Sequence, residues 1–100
     1  MIRIELLIAP EDRDPAIAAL RPLIGAQDRL IELTVDVHPG SLDGQTLRER
    51  VTGKVDRHML VLQIGDDRGD AVIAALEDIH LQQPIRWTRQ PIADQGEIGR

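Results

Sequence analysis

Three histidines, a cluster of carboxylates and a run of cations are the groups in this 100-residue chain with chemistry to offer. His38 follows Asp36 by two positions at the end of an alternating stretch, and His58 opens the next apolar run. If those stretches pair as a hairpin, His38 and His58 meet at its base. Imidazole nitrogen with carboxylate oxygen is a donor set for a divalent cation, so Asp36, His38 and His58 form a candidate metal site or proton-handling pair. Each of them also reads as a solvated turn or strand-end residue. His80 stands at the end of a predicted helix, where a cation complements the helix dipole. Asp66, Asp67 and Asp70 bunch ahead of that helix. They lack the twelve-residue loop and closing Glu of a calcium hand, and capping accounts for them better. Arg48, Arg50, Lys54 and Arg57 make a positive patch, either a solvated face or a contact for a phosphate-bearing ligand or an acidic partner. Trp87, the one aromatic residue, stands between Arg86 and Arg89. It reads as core filler or as part of a subunit interface, where Trp and Arg are enriched.

Much chemistry is absent. Ser41 is the only serine and carries no nucleophile-elbow pattern. There is no cysteine, which removes thiol catalysis, disulfides and Cys-type zinc sites. Gly40, Gly44 and Gly53 are too spread for a phosphate loop. No acid–base pair stands out, so the expectation is a non-enzymatic protein, and the sequence names no cofactor. Asp and Glu number 17 against 12 Lys and Arg, a net charge of −5. That balance, with a single aromatic, argues against a nucleic-acid partner. The apolar run at the N-terminus is short and contains Glu5, unlike a signal peptide, and no run approaches the roughly 18 residues of a membrane span. The expectation is a cytoplasmic chain that is not membrane-embedded.

The elements that would position these groups follow from periodicity. Ile2, Ile4, Leu6 and Ile8 alternate with Arg3 and Glu5, a strand with one buried face. Asp14-Pro15 reads as a helix start, with Ile17, Leu20 and Ile24 at helical spacing, Pro22 breaking it near Leu20 and Gly25 closing it. Leu30 to Val37 alternates again, Ile31, Leu33, Val35 and Val37 sharing one side. The turn-rich stretch His38–Gly44 opens a long loop over 38–57, with one or two helical turns over 45–52. Met59 to Ile64 is apolar on both parities, which suits a central strand. Val72, Ile73, Leu76 and Ile79 mark a second helix, and 85–90 a polar edge strand. Residues 91–100 read as a loosely held tail.

Strand, helix, strand, strand, helix, strand is the split βαβ plan. The whole chain, residues 1–100, is expected to be one α+β domain of ferredoxin-like βαββαβ form, a four-stranded antiparallel sheet with two helices on one face. The helices cover one face only, yet the 59–64 strand is apolar on both. A second subunit is the economical cover.

This order, with one long excursion between the second and third strands, resembles the P-II-like superfamily, which includes the P-II signal transducers and the divalent-cation tolerance protein CutA. Gly53-Lys54-Val55 leading into Met59–Ile64, then Ile85-Arg86-Trp87, Pro91-Ile92 and Gly96-Glu97-Ile98, is similar to a small P-II-like family encoded beside heavy-metal efflux pumps. The resemblance implies a homotrimer with inward-facing sheets, ligand clefts between subunits at the loop base, and a regulatory role reported to a protein partner such as a membrane efflux system. The ligand-binding positions it implies are Val37, His38, Gly40, Gly53, Lys54, Arg57 and His58. Arg48, Arg50, Arg86, Trp87 and Arg89 are the candidate partner or interface residues. Three departures stand out: Gly65–Asp70 is acidic rather than phosphate-gripping, no tyrosine is present for uridylylation, and no cysteine for copper. Two other readings stay open, a CutA-type metal-binding protein using Asp36, His38 and His58, and a small enzyme of the cofactor-free oxygenase type, built as a dimer.

Overall fold

Alternation in the first seven strand residues is realised as a strand with one buried side. The computed structural model describes residues 1–41 and 43–99; Leu42, in the turn-rich stretch, and Arg100, last of the tail, lie outside the described residues. In chain order the elements are β1 (Ile2–Ile8), α1 (Arg13–Leu20), β2 (Arg29–Val37), α2 (Leu47–Thr52), β3 (Val55–Ile64), α3 (Gly69–Glu77) and β4 (Arg86–Pro91). The sheet runs β2-β3-β1-β4, and every neighbouring pair is antiparallel. This is the ferredoxin-like order, with the short α2 added in the excursion.

Register assigns the faces. Ile2, Ile4 and Leu6 stand opposite Ile64, Leu62 and Leu60. These six, with Ile8, meet Ala16 and Leu20 of α1 and Val72 and Leu76 of α3 in one buried cluster. Burying each Leu or Ile there contributes about 1.5–3 kcal/mol. The opposite parity forms the other face, over which neither core helix lies. It pairs Ile31, Leu33, Val35 and Val37 of β2 with Val61, Met59, Arg57 and Val55 of β3, and carries Leu7 of β1. Ile31 and Leu33 are 41% and 46% exposed. So β2 turns its apolar parity away from the helices and its polar parity, Glu32, Thr34 and Asp36, toward them. Eight helical residues span roughly 12 Å, whereas the nine residues of β2 span roughly 30 Å, so α1 cannot cover the far half of β2.

Several boundaries differ from the sequence reading. A 3-10 turn over Pro10–Asp12 precedes α1, so Asp14 lies inside the helix and caps nothing; the carboxylate of buried Asp12 instead accepts from the Gln82 and Gln83 N–H groups (2.8 and 3.0 Å). Pro22 ends α1 as expected, the chain passing into a 3-10 turn over Arg21–Leu23. Gly25 does not close it with a left-handed residue; its N–H donates to Asp28. Asp66, Asp67 and Asp70 make no capping bond to α3. Asp66 pairs with the N-terminal amine, and Asp70 with Arg89. His80 lies past the end of α3. β3 starts at Val55, so residues 55–57 belong to a strand and not to the loop. The tail is tied at two places, by Ile92 N–H on the Met1 carbonyl (3.0 Å) and by Glu97 on Arg29 (2.8 Å).

Candidate functional site: two clefts at the base of the excursion

The site begins where the sheet thins. β1 stops pairing at Ile8, opposite His58, while β3 continues back to Val55 with β2 alone beside it. Into this space come the 3-10 turn of Pro10–Asp12, the segment Gln83–Arg86 and the two ends of the excursion. Two clefts result. The larger, about 750 Å³, is walled by Val37–Ser41, Gln45, Val55, Leu7 and Pro84–Arg86, with Arg57 between. The smaller, about 260 Å³, lies between α2 and Pro10-Glu11 and is lined by Thr46, Arg48, Glu49, Thr52, Lys54, Asp56, Gln83 and, again, Arg57.

The larger cleft has an unusual charge. Its lining contains Arg57, Arg86 and His38 and no Asp or Glu, in a chain whose acids outnumber its Lys and Arg 17 to 12. Ion pairs engage Arg3, Arg13, Arg29, Arg57, Arg68 and Arg89; Arg86 takes part in none among the described residues. Leu7, Val37, Val55, Pro84 and Ile85 supply apolar walls. A guanidinium fork offers paired donors to a carboxylate or phosphate, so the lining suits an anionic group joined to an apolar body.

The smaller cleft is mixed in charge and internally bonded. Arg57 is only 16% exposed; Nη2 donates to Gln83 Oε1 (2.8 Å), Nη1 to the Asp56 carbonyl (2.8 Å), and Nη1 lies 4.0 Å from Glu49 Oε2. Glu49 is the third residue of α2 and closes a capping box: Thr46 Oγ1 accepts from Glu49 N–H (3.2 Å) and Glu49 Oε1 accepts from Thr46 N–H (3.1 Å). The bond from the Thr46 N–H, with nearby Arg57 and Arg48 adding to it, holds the Glu49 carboxyl below the usual carboxylate range. Gly53 ends α2 at φ +73°, its N–H on the Glu49 carbonyl.

The residues expected to bind ligand separate. Val37, His38, Gly40 and Arg57 come together in the larger cleft, and Lys54 lines the smaller one. Gly53 lines neither and serves as the helix stop. His58 also lines neither. The metal set is not assembled: register puts His58 opposite Thr34, not beside His38. Asp36 is taken by Lys54 (3.1 Å), whose hydrogen bond holds its carboxyl below the ordinary range. Among the described residues no three His, Asp or Glu side chains are placed to hold a metal ion. His58 instead sits on the helix side, its Nδ1 buried without a hydrogen bond and 3.5 Å from Glu32 Oε1. Glu32 is held bidentate by Arg13 (2.5 and 2.8 Å), which lowers its pKa.

The interface candidates also scatter. Arg48 and Arg50 ride on α2 and take part in no ion pair among the described residues, beside Leu47 and Val51, which are 76% and 77% exposed. Arg86 belongs to the larger cleft. Trp87 stands opposite Leu6 on the helix side and is 48% exposed. Arg89 is bound to Asp70 (2.8 Å). Arg86 as a residue of this cleft, with Leu7, Ser41, Gln45 and Pro84 in the same lining, was beyond sequence reasoning, because only the tertiary fold brings these segments together. The capping box was legible as Thr46-Leu47-Arg48-Glu49.

Comparison with known proteins agrees with this architecture. The profile of a family described as "Protein of unknown function (DUF3240)" matches residues 1–99. Among solved structures, a DUF3240 family protein from Shewanella baltica OS155 is similar over 98% of this chain and 96% of that one, at 13% identity and a TM-score of 0.67. At that identity the likeness concerns the fold. No curated protein matches the chain.

Proposed function

The chain belongs to the DUF3240 family, and from that premise we propose that it is a non-enzymatic regulatory protein of P-II-like type. It binds a small anionic ligand in the larger cleft and presents the excursion to a protein partner. The observation that carries the reading is the lining of that cleft: two arginines and a histidine, no carboxylate, and an apolar wall, in a net acidic chain. Arg86, His38 and Arg57 of the lining supply its polar contacts. Leu47 and Val51, with Arg48 and Arg50 beside them, form the partner-facing surface of α2 and fit an apolar surface rimmed by acidic groups. The sheet face away from the core helices, with Ile31 and Leu33 on its edge strand, is the contact between copies in a homotrimer, in keeping with the P-II-like resemblance. The link to a heavy-metal efflux system rests on that resemblance. A CutA-type metal site gains no support from Asp36, His38 and His58, which do not assemble as a set of three among the described residues.

The test is a titration of isotope-labelled protein with inorganic phosphate, pyrophosphate, citrate and AMP, followed by amide shifts. Shifts at His38, Ser41, Gln45 and Ile85 are expected with at least one of them and are lost in Arg86→Gln. If all four leave those amides unmoved, or if Arg86→Gln responds as the wild type does, the anion-binding reading is wrong.

A further inference from the structure

Arg57 lines both clefts, and the groups around its guanidinium, Gln83, Asp56 and Glu49, all line the smaller one. From this we infer that Arg57 couples the larger cleft to α2: an anion that recruits its guanidinium draws it from Glu49 and Gln83 and so loosens the seat of α2. The inference rests on the anion-binding reading above and adds to it the route by which occupancy reaches the partner-facing helix.

The geometry supplies the coupling in three steps. First, the guanidinium is mostly buried and two of its N–H groups are fixed by 2.8 Å bonds to residues of the smaller cleft, so turning it toward the larger cleft gives up part of that set. Second, the group it stands beside, Glu49, is the residue that reciprocally caps α2, and its other oxygen holds the Thr46 N–H. α2 is only six residues long. A helix this short has little intrinsic stability in water and depends on its caps and its packing. Third, Gln83, which accepts from Arg57, also donates to Glu11 Oε1 (3.1 Å), and its backbone N–H is held by buried Asp12. That side of the network is anchored to the core, whereas α2, with Leu47 and Val51 in solvent, is not. Displacement of Arg57 therefore moves the weakly anchored side. Linkage makes the effect reciprocal: a partner that grips α2 in its present form keeps Arg57 engaged with Glu49 and weakens anion binding by the same factor.

Glu49→Gln separates coupling from capping. Glutamine at this position still completes a capping box, but it removes the charge that competes for Arg57. The experiment measures amide hydrogen exchange over residues 46–53, with and without inorganic pyrophosphate, in wild type, Glu49→Gln and Arg57→Gln, together with pyrophosphate affinity. The expected result has three parts. Pyrophosphate speeds exchange over 46–53 in the wild type. Glu49→Gln binds it several-fold more tightly, within the roughly 5–150-fold range of such couplings, and shows no anion-dependent change in exchange. Arg57→Gln exchanges faster over 46–53 with no anion present. Pyrophosphate binding that leaves 46–53 unchanged, or equal affinity in wild type and Glu49→Gln, overturns the coupling and leaves the anion site standing. Absence of pyrophosphate binding, with normal exchange over 46–53 in Arg57→Gln, removes the coupling together with the pyrophosphate form of the site.

Discussion

At the scale of single residues, the best-defined ion pair lies away from the clefts. Asp28 is 2% exposed in its side chain and is gripped by two Arg68 nitrogens, Nη2 at 2.7 Å from Oδ1, with the Gly25 N–H adding a third donor (2.6 Å). The Arg68 bonds hold the Asp28 carboxyl below the usual carboxylate range. A carboxyl whose pKa is lower in the folded chain than in the unfolded one, near 3.9, stabilises the fold fully above that value. The contribution fades as pH falls through the folded pKa. Asp28→Asn is therefore expected to melt several degrees below the wild type at pH 7, with the gap closing below about pH 3.9. Melting curves from pH 7 to pH 2.5 on both proteins check this, and a gap that stays constant across the range refutes it. The pair joins the segment before β2 to the turn before α3, a contact between residues 40 positions apart that nothing in either local sequence announces.

At the scale of elements, periodicity was a reliable guide and chain ends were not. Ile2 to Ile8 and Leu30 to Val37 alternate and are strands; Val72, Leu76 and their neighbours form a helix over the core. The acidic cluster misled, because Asp66 and Asp70 had better partners in the N-terminal amine and Arg89 than in the free N–H groups of α3. The start of α3 is instead set by close approach. Gly69 is buried, and a Cβ there would come within 2.5 Å of the Arg89 guanidinium and 2.7 Å of Ile2 Cδ1. Its φ is −58°, so the backbone itself accepts alanine. In open space Gly→Ala would raise helix stability by about 1 kcal/mol. Here Gly69→Ala is expected to lower stability by about 1 kcal/mol, because overpacking costs of about 1–3 kcal/mol exceed that gain. Urea unfolding of the two proteins measures the sign, and a more stable alanine variant shows that α3 can ride outward freely.

At the scale of the whole molecule, the principal extents are 46 × 32 × 22 Å and the radius of gyration is 15.1 Å, above the roughly 13 Å of a 100-residue globule. The paired ends of β2 and β3 and the α2 excursion extend beyond the region the core helices cover. The face of the sheet away from the core helices carries Ile31 and Leu33 exposed, Val35 and Met59 half-buried and Val61 buried, all in register. Among the described residues no helix is long and apolar enough to cross a membrane. In the proposed homotrimer these side chains are covered by other copies. Light scattering is then expected to give three times the chain mass of 11.1 kDa for the wild type and a single-chain mass for Leu33→Glu with an unchanged circular dichroism spectrum. A wild type that runs as a monomer defeats the assembly.

The amino-acid sequence by itself determined the element order, the split βαβ plan and the alternation of β1 and β2, and it marked β3 as apolar on both parities, because the spacing of apolar residues states which side chains share a face. It also contained the α2 capping box in Thr46 and Glu49. Tertiary structure alone decided which face of β2 meets the helices, since a period of two is blind to direction and α1 is too short to cover the whole strand. It also decided which cationic side chains line the larger cleft. His38, Arg57 and Arg86 lie in three separate segments, and it is the early end of β1 at Ile8 that opens the space where they converge. The same register placed His58 opposite Thr34 and away from His38, so the three expected metal ligands do not assemble among the described residues.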